Sequence, residues 1–155
     1  MNHPSKISGS KDVIGFLKGQ HEQIKEMFEE VIAAEGRERA KIFHDLRALM
    51  AAHEAGEAKV VHPAARLAIT GGEAEVAARL AEENEAKKTL AALDALDVRS
   101  AEFETKIRKL QSAVLAHASA EEKEEFDKLA GELDEGKLKA MRELVVAAEA
   151  DASKG

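Results

Sequence analysis

The chain has 155 residues, the size of one domain, and can bury most of its apolar surface without cross-links. Acidic residues outnumber basic ones 30 to 23, giving a formal net charge of −7 that makes nucleic acid and anionic membrane surfaces poor partners. Cysteine is absent, which excludes disulfides, thiolate metal sites, iron–sulfur clusters and thiol catalysis, and suits a cytoplasmic location.

Hydrophobic residues make up 45% of the chain but aromatics only 3%, all phenylalanine, and alanine, leucine, glutamate and lysine dominate. These side chains lose little freedom on a helix, and bulky β-formers are scarce, so an all-α domain is expected. No apolar run reaches the ~20 residues that a bilayer span needs.

Residues 1–11 are polar, lack the apolar core of a signal peptide, and read as a disordered tail. A first helical pattern runs from about Asp12 to Glu35, with Ile14, Leu17, Ile24, Phe28 and Val31 at spacings of three and four, and Gly36 is expected to end it. A second runs from about Arg37 to Ile69 on Ile42, Leu46, Leu49, Val60, Ala64 and Leu67. Pro63 removes a backbone donor from it and is expected to kink it. Thr70, Gly71 and Gly72 break the chain, and a third pattern covers about Glu73 to Leu96. Ser100 is the expected N-cap of a fourth, which passes through Phe103, Ile107, Leu110 and Val114 to about Ala130, with Gly131 ending it. A shorter fifth covers about Leu133 to Ala150. Four long helices with short turns predict an antiparallel up-down four-helix bundle over residues 12–150, with a short additional C-terminal helix beside it.

Polar residues interrupt the apolar stripes. At about 100° per residue, His21 lies within roughly 40° of Ile14, Leu17 and Phe28, and His53 within roughly 40° of Leu46, Leu49, Val60 and Leu67. His117 continues the stripe of Phe103, Leu110 and Val114. His53–Glu57 and His117–Glu121 are both His-x-x-x-Glu pairs, which place imidazole and carboxylate one above the other on one helix face. A lone inward histidine is ordinarily a hydrogen-bonded core residue, and a lone pair of this kind is weak in a glutamate-rich chain. Two pairs plus His21, all on core faces, point instead to metal, because buried carboxylates need counter-charge and cations supply it.

On the third helix, Glu83 lies within roughly 20° of both Val76 and Leu90, whereas Asn84 is about 120° from Leu90. A solvated acidic face is the competing reading of Glu83. His62 falls about 180° from His53 and so outside the ligand set, unless the proline re-aims it. His44 and Glu54 read as surface residues, and Gly56 as a place for close backbone approach or as ordinary drift.

The order of these residues, with the segments DVIGFLKGQHEQIKEMFEEV, HEAGEAKVVHP, EENEAKKTLAAL and VLAHASAEEKEEF, resembles the hemerythrin-like, or HHE cation-binding, family over about residues 12–130. The resemblance implies a four-helix bundle holding a non-haem di-iron centre, two iron ions joined by an oxo or hydroxo bridge. It implies that His21, His53 and His117 are terminal ligands and that Glu57 and Glu121 can bridge the metals. The family usually has a third-helix histidine in a segment like EEH, but this chain has Glu82-Glu83-Asn84 and no histidine from 63 to 116. Either Glu83 replaces that imidazole or water holds the position, and both argue against reversible oxygen carriage.

The implied function is a cytoplasmic protein that binds and reacts with hydrogen peroxide, O2 or nitric oxide at an open iron position. Catalase-like or nitric-oxide-handling oxidoreductases are its enzymatic forms, and no second cofactor motif is visible, so electrons would come from an external donor. The alternatives are a non-enzymatic iron- or oxygen-binding, sensing or storage module, and a metal-free helical interaction domain.

Overall fold

The structure, a computed structural model, describes residues 12–154; the expected tail, residues 1–11, lies outside the described residues. Helix α1 is Val13–Ala33, and it begins where the Asp12 side chain accepts the Gly15 N–H at 3.0 Å. Helix α2 is Gly36–Gly56, continued by a π-helical turn π1 (Glu57–Val61) and by α3 (His62–Ala68). Helix α4 is Gly72–Asp94. Helix α5 is Ala101–Glu121, continued by a second π-helical turn π2 (Glu122–Phe126) and by α6 (Asp127–Glu132). Helix α7, Glu135–Lys154, packs mainly on α1 and α2. With α2–π1–α3 and α5–π2–α6 each read as one rod, these are the four bundle helices and the added fifth, and the fifth is 20 residues long.

Most helix ends follow the side chains that mark them. The Ser100 hydroxyl accepts the Phe103 N–H at 3.1 Å, and Gly71 takes a left-handed φ of 75° before α4. Gly36 differs from expectation: it opens α2 at φ 56°, after α1 has already stopped at Ala33. Arg39 explains that early stop. It is buried, and its guanidinium donates to the Val31, Ile32, Ala34 and Val98 carbonyls at 2.8–3.1 Å, satisfying acceptors that a helix end leaves free. Gly131 also differs, lying inside the last turn of α6 rather than ending it.

Two apolar clusters fill the bundle. One gathers Leu17, Val61, Ala65, Val76, Phe126, Leu129 and Val145, and the other gathers Phe28, Leu46, Leu93, Phe103, Ile107 and Leu110. Each such side chain contributes roughly 1.5–3 kcal/mol by leaving water. His21, His53, Glu57, Glu83 and Glu121 are buried at the level between the two clusters.

Both π turns shift register. The His62 N–H reaches back five residues to the Glu57 carbonyl, which accommodates Pro63 without ending the rod. One residue is thereby absorbed, so everything after π1 is rotated by about 100° relative to a straight helix. The rotation turns His62 into the core, 1% exposed, and carries Leu67 out of the expected apolar stripe, 91% exposed. The proline therefore acts through a wide turn that re-aims the following residues.

Candidate metal centre

Every bundle rod contributes to the polar layer. Helix α1 supplies Gln20 and His21; α2 with π1 and α3 supplies His53, Glu57 and His62; α4 supplies Glu82 and Glu83; α5 with π2 supplies His117, Glu121, Glu122 and Glu125.

Each of these four histidines meets an acceptor at Nδ1. His21 Nδ1 meets Glu122 Oε2 at 2.8 Å, His53 Nδ1 meets Gln20 Oε1 at 2.7 Å, His62 Nδ1 meets Glu125 Oε2 at 2.6 Å, and His117 Nδ1 meets Glu82 Oε1 at 2.6 Å. For His53 the tautomer follows from hydrogen-bond logic. Gln20 Nε2 donates to Glu149 Oε1 of α7 at 2.6 Å, so the Gln20 oxygen faces His53 and accepts from Nδ1–H. His53 Nε2 is then a bare lone pair directed inward, and an outer acceptor that fixes the ring in this way is what ligating histidines require.

The four Nε2 atoms face the carboxylates. His21 Nε2 lies 3.1 Å from His53 Nε2 and 3.1 Å from Glu121 Oε1, and His53 Nε2 lies 3.0 Å from Glu57 Oε2. His117 Nε2 is 3.6 Å from both Glu83 Oε2 and Glu121 Oε2, and His62 Nε2 is 3.2 Å from Glu83 Oε2. Ligand-capable atoms of His21, His53, Glu57 and Glu121 lie within 4.8 Å of one another, as do those of Glu57, Glu83, His117 and Glu121, and those of His62, Glu121 and Glu125. The first two sets share Glu57 and Glu121.

The charge balance shows that these residues fit cations. Glu57, Glu121 and Glu125 are each 0% exposed, yet both Glu57 oxygens, Glu121 Oε2 and Glu125 Oε1 have no hydrogen-bond partner. An orphaned buried carboxylate oxygen is costly, and a cation satisfies it. Burial, with Glu121, Glu83 and Glu125 nearby, pushes the Glu57 carboxyl well above the ordinary range. Burial would also raise Glu121, but the Glu57, His21 and His53 side chains around it outweigh that and hold Glu121 well below that range. Burial opposes charge on His21 and His62 as well, but Glu121 and Glu122 raise His21 to about 9, and Glu125 and Glu83 raise His62 to about 10. Burial lowers His53, leaving it neutral. Without metal, protons stand in for part of the missing positive charge.

The structure brings together all six residues singled out from the sequence. Glu83 is buried and faces the layer, whereas Asn84 is exposed. His117 stands at the edge of the layer, its side chain 15% exposed. His62, placed on the outward face by straight-helix arithmetic, is inside because of π1. Sequence reasoning passed over Glu125, although it lies four residues after Glu121 and the same arithmetic puts it on that face. Glu54 is half-buried rather than on the surface, and burial raises its carboxyl to about 7. His44 is exposed, as expected.

The hemerythrin HHE cation-binding domain profile matches residues 12–129. Among curated proteins none matches the chain. A solved structure of a hemerythrin HHE cation-binding domain-containing protein from Mycobacterium kansasii superposes with a TM-score of 0.81 at 20% identity, covering 92% of this chain and 88% of that one. At that identity the likeness shows the shared fold. With the profile spanning most of the chain, the conclusion is plain: the protein belongs to the hemerythrin HHE cation-binding domain family, a metal-binding helical module.

Proposed function

We propose that the chain is a cytoplasmic non-haem di-iron protein that binds and reacts with a small oxidant, namely hydrogen peroxide, O2 or nitric oxide. The observation that carries this reading is the pair of four-residue ligand sets sharing Glu57 and Glu121, with imidazole Nδ1 atoms already held from outside. When bound, a pair of irons supplies one-electron chemistry toward such a molecule, with electrons replenished by an external donor.

The residues have separable tasks. His21 and His53 would help to hold one cation, Glu83 and His117 another, and Glu57 and Glu121 belong to both sets. His62 touches Glu83 Oε2 and holds that carboxylate toward the centre, a positioning role for the imidazole re-aimed by π1. Both Glu57 and His21 Nε2 would have to give up their protons before holding a cation. His117 Nδ1, paired with the half-exposed Glu82, lies on a short path by which a proton reaches solvent. The apolar clusters on both sides exclude bulk water.

The test is metal analysis of protein isolated and reconstituted with ferrous salt, followed by mixing with peroxide and with nitric oxide. About two irons per chain and repeated peroxide or nitric oxide turnover with an added reductant are expected. A single stoichiometric reaction would favour a sensing or storage role, and a chain that retains no iron would end the metal reading.

A further inference from the structure

A cavity of about 460 Å³ adjoins the polar layer, lined by α1, α2, α4 and α5. Its inner end is formed by His53, Glu57, Glu83 and His117, and its walls by Ile24, Met50, Leu110 and Val114. It exists because the facing residues of α4 and α5 at this level are Ala86 and Ala113, whereas one level further on Leu90, Leu93, Phe103 and Ile107 fill the space.

The volume bears on what the site accepts. Peroxide, O2 and nitric oxide are each close to water in size, and the cavity equals about fifteen times the roughly 30 Å³ share of one water. Apolar side chains supply most of its surface, with Glu54, Glu82, Glu85, Thr89, Lys106 and Lys109 also on the lining. A dry cavity of ~150 Å³ already accepts a benzene-sized molecule, and pockets from ~300 Å³ upward accept small organic ligands.

We propose that this cavity binds an apolar organic molecule bearing one hydroxyl group, an alcohol or phenol of about two fused rings in size, inserted with the hydroxyl toward Glu57 and Glu83. The head group follows from the inner end. A hydroxyl both donates and accepts, so it suits an inner end of imidazoles and carboxyls in the metal-free protein, and its oxygen would suit cations held by the same residues. The tail follows from the Ile24, Met50, Leu110 and Val114 walls. The inference deepens the proposed function by naming the organic class that shares the oxidant's site, and it rests on that reading only for the metal-loaded form.

The test uses 2-naphthol, followed by fluorescence, because the chain contains no tryptophan or tyrosine to obscure it. Titrations are made on metal-free and zinc-loaded protein, with zinc stoichiometry measured separately. Saturable binding of one naphthol per chain is expected in both forms. Ala113→Phe at the exposed edge of the gap, and Ala86→Phe across from it, are each expected to weaken binding at least tenfold, with helical circular dichroism and zinc content unchanged. Leu144→Ser, in the separate surface groove beside Leu67, is expected to leave it unchanged. Absence of saturable binding, or loss in Leu144→Ser with retention in both cavity-filling variants, overturns the proposal. If naphthol binds and responds to Ala113→Phe while the chain takes up no metal, the cavity stands and the metal reading alone falls.

Discussion

Between Phe28 and Phe103 the bundle interior is apolar, and the one buried charge at that end among the described residues, Arg39, has every guanidinium nitrogen bonded to a carbonyl or Glu104. Half a bundle away, Glu57 keeps two buried oxygens without partners, and Glu121 and Glu125 keep one each. The first region is built for stability. The second sacrifices stability to hold a constellation that only cations complete, so substitutions should act with opposite sign in the two regions.

The largest effect is expected in the apolar half. Phe103 is 0% exposed and meets Phe43 edge-on at 5.4 Å, so Phe103→Ala should cost about 3–5 kcal/mol in denaturant unfolding while iron content stays the same. The same experiment at the centre should invert. Glu57→Gln removes a buried carboxyl that burial and its neighbours already force toward the neutral state, so the metal-free protein should gain stability. Its metal content should fall below that of the unaltered protein, since Glu57 belongs to both ligand sets. Loss of stability in metal-free Glu57→Gln would erase the contrast.

The sequence could be read reliably where helices are straight. The stripe of Ile14, Leu17, Ile24, Phe28 and Val31 fixes α1 and places His21, and all five stripe residues are buried. Glu83 against Asn84 was separable for the same reason, as α4 has no irregularity between Val76 and Leu90. The reading failed just past π1. A residue absorbed into a wide turn changes the phase of everything downstream, so His62 and Leu67 exchanged faces together. Pro63 marked that a disturbance was coming but not its form, because a kink and a π turn both relieve the missing donor. Arg39 was unreadable for another reason: its partners Val98 and Glu104 are distant in sequence and reach it only through the fold.

A smaller effect should appear with pH, again at the centre alone. His21 titrates near 9 and His62 near 10, both above the ordinary 6.5. Groups whose values are raised by folding stabilise fully below the unfolded value, and that contribution is lost as pH rises through the folded one. Metal-free protein should therefore lose on the order of 1–3 kcal/mol between about pH 6.5 and 10, read from urea midpoints. With His21 in the proposed ligand set, cation binding would displace its proton, so loading should weaken as pH falls below about 9 and release protons into unbuffered solution. His62→Gln should flatten the upper part of the stability curve, and an unchanged curve would remove His62 from the charged network.

The smallest expected effect tests how α7 is tied to the centre. A Cβ added at Gly56 would sit 2.8 Å from Val145 Cγ1 and 3.2 Å from Glu149 Oε2, closer than side chains tolerate. Gly56→Ala sets about 1–3 kcal/mol of overpacking against up to ~1 kcal/mol of improved helix propensity, so a net loss near 1 kcal/mol is expected. Pairing it with Val145→Ala should recover part of that loss as a coupling energy, because the two sites touch. The displaced Glu149 should also loosen its hold on Gln20, and through Gln20 on the His53 tautomer, which nitrogen chemical shifts of the imidazole report directly. A stabilised Gly56→Ala with unchanged His53 shifts would mean that α7 rests on the bundle without steering its metal-facing side.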